Sequence, residues 1–337
     1  MSWPTPVVLG ADVGGTNTKI GLARVEADLP RLIERSIYPS REYASLELVV
    51  EAFLGSPQAA PSAGNIAAAC FAVAGPVENG RGRLTNLAWT PDEAEIARRF
   101  GFPRVRIVND FAAAGLGIAH LSATDLLTLQ AGVPVERGDR VVVGAGTGLG
   151  VAVLDWDETR YEIHPSEAGH TDFAPVDALQ DQLLAHLRKQ FPRVSCERVL
   201  SGAGLGHILA FLIEIGAGAA SPGLAAAMRE GNVASAITEL ATAGEDELAV
   251  RTLDLFVSAY GSFAGNMALV TLAHGGVYIA GGIAPKIAAK LTGGDFMRAF
   301  TAKGRFQKLL ESLPVHVVMN DHVGLYGALA EAARISG

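Results

Sequence analysis

The chain has 337 residues, 49% of them hydrophobic and only 18% charged, with a net charge of −8 and an isoelectric point near 5.5. That balance fits a well-packed α/β protein of about two domains and excludes a disordered or fibrous chain. No cluster of Lys and Arg exceeds a pair or two, so the basic face that nucleic acid or an anionic membrane demands is missing.

The elements follow in chain order. Strand-like runs fall at residues 7–9 and 20–25, a helical stretch at 46–54, and a third strand at 66–74 closed by Ala74-Gly75-Pro76-Val77. A strand at 104–108 ends in Asn109-Asp110-Phe111, and residues 112–120 start a helix. Strands return at 141–145 and 151–156; helices dominate 176–273, with Asp177 in the first turn of one. The run Val277-Tyr278-Ile279-Ala280 enters Gly281-Gly282-Ile283-Ala284-Pro285 and another helix, and the chain closes with a strand at 315–319, a turn at Asn320-Asp321 and a helix at 325–334. The apolar stretch 208–228 is interrupted by Glu214, several glycines and Pro222, and reads as buried helix plus turn rather than a membrane span. Cys70 and Cys196 are far apart, without C-x-x-C or zinc spacing, and the start of the chain lacks a basic n-region and a long apolar h-region. A reduced, cytoplasmic protein without signal peptide is expected.

Two glycine-rich turns stand between strand-like runs. The first is Asp12-Val13-Gly14-Gly15-Thr16-Asn17, the second Gly144-Ala145-Gly146-Thr147-Gly148-Leu149-Gly150. Glycines let a backbone bend and bring N–H groups close to an anion. Neither turn fits a dinucleotide fingerprint, because the third required glycine falls on Leu149 or Val151, and no Gly-Lys pair exists for a Walker loop. Ordinary hairpin loops would look the same one at a time. Two in like settings, the first with Asp12 and Thr16, point to a polyphosphate gripped from two sides. Two lobes that each open on a strand-turn-strand unit suggest a duplication, although the halves share little sequence.

Three polar groups carry candidate chemistry. Asp110 at a strand end can take a proton from a substrate hydroxyl as a general base; it can equally cap the helix that follows. Pro165-Ser166-Glu167-Ala168-Gly169-His170-Thr171-Asp172 reads as a polar loop that grips sugar hydroxyls, binds metal or is simply solvated. Glu197 alone reads as a helix-surface charge.

Together these motifs resemble the bacterial glucokinases of the hexokinase/actin/Hsp70-like ATPase superfamily, nearly end to end. The resemblance includes Thr85-Asn86-Leu87-Ala88-Trp89, Asn109-Asp110-Phe111, the second glycine turn, Glu167 to Phe173, Glu197-Arg198-Val199-Leu200-Ser201-Gly202 and Ile279-Ala280-Gly281-Gly282-Ile283. It implies a two-lobed α/β fold, actin-like and ribonuclease H-like, with a ligand cleft between a small domain (1–120 plus 312–337) and a large one (121–311). It implies ATP- and Mg²⁺-dependent phosphorylation of glucose on its 6-hydroxyl, with Asp110 as base. Asn109, Glu167, His170, Glu197 and the backbone of Gly148 would hold the other hydroxyls. Ala11, Asp12, Val13, Gly14, Gly15 and Thr16 would take the ATP phosphates, with Asp12 holding Mg²⁺ through water; Thr147 and Gly148 would face them, and Gly281 and Gly282 would lie near the adenosine. A homodimer is expected. Ala11 and Ala168 depart from the family pattern, where glycine is frequent, and the second bears on which hexose fits. The cysteine-rich zinc motif of the related ROK sugar kinases and repressors is absent. A kinase of the same fold for another hexose or using polyphosphate, a sugar sensor without activity and a chaperone-like ATPase are the alternatives. A sensing repressor would need a helix-turn-helix, and only Met1 to Pro6 precede the first strand.

Overall fold

The computed structural model describes residues 5–337 apart from Asp28 and Thr85, so residues 1–4 and the first residue of the Thr85-to-Trp89 motif lie outside the described residues. The chain forms two compact units, Met1–Ala123 with Asn320–Gly337, and Thr124–Met319.

The first unit is built on a five-stranded sheet ordered β3-β2-β1-β4-β7. β1 (Val7–Val13) pairs antiparallel with β2 (Asn17–Glu26), which pairs antiparallel with β3 (Leu29–Pro39). β4 (Ile66–Val73) runs parallel to β1, and β7 (Val105–Asn109) parallel to β4. A two-stranded hairpin, β5 (Val77–Glu78) and β6 (Arg81–Gly82), follows β4. β1 and β4 are apolar almost throughout because both faces of the sheet are covered. One face packs on α1 (Leu46–Leu54), with Phe53 and Phe71 fully buried. α2 (Glu93–Phe100) contributes Ile96 to that layer and α3 (Asp110–Gly117) follows β7 directly. The other face packs on α12 (Val323–Ser336), whose Leu325, Ala328, Leu329 and Ala332 meet Val8, Ala68 and Cys70. α12 lies so close that a Cβ on Gly10 would stand 2.7 Å from Leu329.

The second unit repeats this topology in a six-stranded sheet ordered β11-β10-β9-β12-β13-β8. β8 (Leu126–Gln130) is its extra edge; β9 (Arg140–Ala145), β10 (Leu149–Trp156) and β11 (Tyr161–Ser166) form an antiparallel meander. β12 (Gly276–Ala280) and β13 (Val315–Val318) then add in parallel. Helices α4 (Ala178–Leu187), α5 (Gly202–Glu214), α6 (Pro222–Glu230), α7 (Val233–Ala243) and α8 (Glu247–Thr271) separate the two halves of the sheet in sequence. α9 (Ala288–Leu291), α10 (Asp295–Thr301) and α11 (Gln307–Ser312) connect β12 to β13. Asp177 caps α4 by accepting from the Gln180 N–H at 2.9 Å. Among the described residues α8 is the one helix long and apolar enough to cross a membrane, and most of it is buried in this unit's core around Phe256, Tyr260 and Phe263.

Three findings differ from the sequence reading. β3, β8 and β11 were not expected, and Pro165 and Ser166 close β11 instead of standing in a loop. The chain re-enters the first unit after Met319 rather than at residue 312, because Val315–Val318 are held between β12 and β8. The helix expected over 112–120 begins at Asp110 and ends in a 3₁₀ turn, Ile118–His120.

Candidate active site

In the first unit the polar residues collect at the carboxyl ends of β1, β4 and β7, where open α/β sheets place their ligands. Register aligns Val13 with Val73 and Val73 with Asn109. Asp12, one residue before that row, and Asp110, one residue after it, therefore lie near the same end of one sheet, on chain segments two strand spacings, about 10 Å, apart.

The turn after β1 is closed by the Gly14 N–H donating to Asn17 O at 3.0 Å. Ala11 and Val13 are fully buried in β1, between β2 and β4, while Thr16 is exposed. Asn86 packs on the turn: a Cβ on Gly15 would stand 2.8 Å from the Asn86 Cβ. Asp12 points beneath the first turn of α12, where a Cβ on Gly324 would come within 2.9 Å of its carboxyl. Burial raises the Asp12 pKa above the ordinary carboxylate range, with Asp321 adding to the rise and Lys19 opposing it. Lys19 is directly opposite Asp12 in the β1–β2 ladder and is paired with Asp321, 3.1 Å to Oδ2 and a second bond to the Asp321 carbonyl. Burial pushes Asp321 up as well, but the bond and charge of Lys19 outweigh it and lower its pKa.

At the end of β7 the cap belongs to Asn109, not to Asp110. Asn109 Oδ1 accepts from the N–H groups of Phe111 at 2.9 Å and Ala112 at 3.3 Å, and its amide donates to Gly75 O at 3.3 Å. Asp110 is the first helical residue, with Oδ1 2.9 Å from the Phe111 N–H.

In the second unit Gly146, Thr147 and Gly148 form the tip between β9 and β10, closed by the Gly146 N–H donating to Gly148 O at 2.8 Å. Two other turns meet this tip. Gly202, at the start of α5, donates its N–H to Gly146 O at 2.8 Å, and Ile283 donates to Ala145 O at 3.2 Å. Gly281 adopts φ of 84°, and a Cβ there would meet the Ala145 carbonyl at 2.5 Å, so glycine is required. Behind the tip, the buried Tyr260 hydroxyl accepts from the Ala145 N–H at 3.1 Å and donates to Val143 O at 3.2 Å.

Glu167, His170 and Glu197 converge beside Gly148. His170 Nε2 lies 4.0 Å from Glu197 Oε1 and 4.0 Å from Glu167 Oε2. Glu197 is no surface charge on a helix: it sits in the 3₁₀ turn Cys196–Arg198, and its Oε2 accepts the Leu149 N–H at 3.0 Å. A Cβ on Gly148 would stand 2.5 Å from that oxygen. The His170 turn is tied to the Glu197 turn through Cys196 N–H to Thr171 O at 2.8 Å and Phe173 N–H to Val194 O at 3.0 Å. Arg193 adds a side-chain clamp, to the His170 carbonyl and to Asp172 Oδ1, the latter at 2.6 Å. Asp172 is thus committed to Arg193, and among the described residues no group of three or more His, Cys, Asp or Glu is set to hold a metal ion.

Sequence reasoning missed Lys19, Arg193 and Tyr260. Lys19 had one usable signal, its position mirroring Asp12 across the hairpin; the other two meet the site only through tertiary contacts.

The fold, with its repeated meander and parallel pair, is that of the actin-like sugar kinases. A glucokinase from Balamuthia mandrillaris, solved with glucose, superposes at a TM-score of 0.76 with 22% identity, over 97% of this chain and 94% of that one. A glucokinase from an Antarctic psychrotroph gives 0.84 with 32% identity over 98% of this chain and all of its own. The glucokinase family model matches residues 9–335, and a glucokinase of Trichormus variabilis is 42% identical over 98% of this chain and 99% of its own. The chain belongs to the glucokinase family.

Proposed function

We propose that this protein transfers the γ-phosphoryl group of ATP to the 6-hydroxyl of glucose, giving glucose 6-phosphate and ADP. The observation that carries the reading is that Asp12 and Asp110 lie near the same carboxyl end of one sheet, in a chain of this family. Phosphoryl transfer asks little covalent chemistry of a protein and much positioning and charge neutralisation. Asp110 takes the proton from the 6-hydroxyl; the oxygen bonds to the γ-phosphorus as the bond to the β,γ-bridging oxygen breaks, and ADP leaves with that oxygen. Glu167 and Glu197 accept from the remaining hydroxyls, His170 and Asn109 donate to them, and the Gly148 backbone completes the set. Polar groups left unpaired by the wrong sugar would give such a site its selectivity.

Gly14, Gly15 and Thr16, at the end of the strand that carries Ala11 and Val13, receive the phosphates together with Thr147 and Gly148, and Gly281 and Gly282 lie toward the adenosine. The donor set suits Mg²⁺: Asp12 is a carboxylate whose burial raises its pKa, and Mg²⁺ is commonly held by one or two carboxylates, waters and substrate phosphates rather than a protein cage. Asp12 would hold it through water, and the ion would neutralise charge on the phosphates. A homodimer in the cytoplasm belongs to the same reading and is testable by sedimentation.

Asp110→Asn tests it. The expected result is a loss in kcat of about 10²–10⁴, with glucose and ATP binding retained by calorimetry. Turnover within tenfold of wild type overturns the base assignment, and a panel of hexoses and phosphoryl donors tests glucose and ATP.

A further inference from the structure

The turn after β1 carries carbonyl oxygens as well as N–H groups, and only the latter can meet an anion. Ser40 decides which side presents which. It is fully buried, the first residue of the 3₁₀ turn Ser40–Glu42 that follows β3. Its Oγ donates to Gly14 O at 2.8 Å and its N–H donates to Thr16 O at 2.8 Å. The Thr18 hydroxyl, also fully buried, lies 3.0 Å from Ser40 Oγ. Ser40 has a single hydroxyl hydrogen and spends it on Gly14, so Thr18 is the donor in that pair. A trans peptide points its C=O and the following N–H in opposite directions. Drawing Gly14 O toward Ser40 therefore turns the Gly15 N–H away from the buried side.

We propose that Ser40 is a positioning residue for nucleotide binding: it holds the carbonyls of Gly14 and Thr16 on the buried side of the turn and presents the Gly15 N–H to a phosphate oxygen. The inference rests on the reading of this turn as a phosphate site. Without the Ser40 hydroxyl the Gly14–Gly15 peptide is free to rotate its carbonyl toward the phosphate, replacing attraction by repulsion.

The test measures ADP binding by calorimetry and steady-state kinetics on the full chain for Ser40→Ala, Thr18→Val and Gly15→Ala. Ser40→Ala is expected to raise the ADP Kd and the KM for ATP about tenfold, the size of one hydrogen bond of ordinary strength, with the KM for glucose within about twofold. Thr18→Val removes a buried hydroxyl from the same cluster but keeps the bond from Ser40 to Gly14. It should lower Tm comparably and leave the nucleotide constants within about twofold. Unchanged nucleotide constants in Ser40→Ala, or an equal rise in Thr18→Val, overturn the proposal. Gly15→Ala separates the two levels, since its Cβ would collide with Asn86 and shift the turn. If it too leaves ADP binding intact, the phosphate reading of the turn falls; if it alone weakens binding, only the role of Ser40 falls. Should Ser40→Ala not fold, Ser40→Cys, of similar shape but a weaker donor, is expected to give a smaller rise of about threefold.

Discussion

Tyr260→Phe isolates one atom that the second glycine turn depends on. The hydroxyl lies in the interior of the second unit, accepts from the Ala145 N–H at 3.1 Å and donates to Val143 O at 3.2 Å. The ring packs edge-on against Phe256 and Phe296, at 5.8 and 5.7 Å between centroids, and phenylalanine keeps those contacts. The substitution therefore removes two hydrogen bonds while leaving the packing intact. A buried polar group stripped of its partner costs about 1–3 kcal/mol. The Val143 carbonyl has a second lone pair, so the Ala145 N–H carries most of the loss, and the net is about 2 kcal/mol. For a unit of this size that corresponds to roughly 4–8 °C in Tm, read by calorimetry or circular dichroism. Because Ala145 is the residue before Gly146, the KM for ATP should rise with the loss of stability. A Tm within about 1 °C of wild type would refute the claim that this hydroxyl is the required partner of Ala145.

Asp12→Asn should separate stability from activity. Its folded pKa is raised by burial above the ordinary 3.8, so the stability linked to this group is fully present below that value and lost as pH rises through the folded one. The variant should gain in Tm over wild type as pH increases toward neutrality, while kcat/KM falls by about 10² or more if charge at the phosphates is what Asp12 organises; a lower Tm at pH 7 contradicts this. Arg193→Ala should raise the KM for glucose several-fold with kcat and the KM for ATP nearly unchanged, because its clamp on His170 and Asp172 is far from the first turn in sequence and confined to the second unit. Arg193 and Asp172 are exposed, an arrangement generally worth about 0–1 kcal/mol, so the stability change should be small; equal effects on both substrates would remove Arg193 from the sugar side.

The strands that center each sheet were legible because burial on both faces makes them continuous apolar runs, as in β1, β4 and β9. β3 was not, because an edge strand need not be apolar: it mixes Arg31, Glu34 and Arg35 with Leu32 and Ile37, and a register shift opposite Leu22 and Ala23 breaks its alternation. The site's residue types were readable where a short motif holds several of them, as in Asn109-Asp110 and Glu167 to His170. Local rules misjudged their roles. Capping preference alone assigned Asp110 what Asn109 does, and Glu197 looked like a solvated charge because its acceptor role needs the Leu149 N–H, supplied from another strand. Ser40 and Arg193 carry no sequence signal, since the turn and loop they brace are reached only after β3 and the Asp172–Ser195 bridge have formed.

The placement of α12 has a consequence for how the chain comes to fold during synthesis. The second unit is one unbroken stretch, Thr124–Met319, whereas the first needs residues from both sides of it. One face of β1 and β4 is covered by Leu325, Ala328, Leu329 and Ala332, so on the ribosome that apolar face stays uncovered until the inserted unit has been made in full. At about 5–20 residues per second, the roughly 250 residues between β4 and α12 impose a wait of tens of seconds. The first half of the sheet is thus the segment most in need of a chaperone while the chain is growing, and shortening the chain before residue 323 should send it to aggregates even though the second unit's residues are all present.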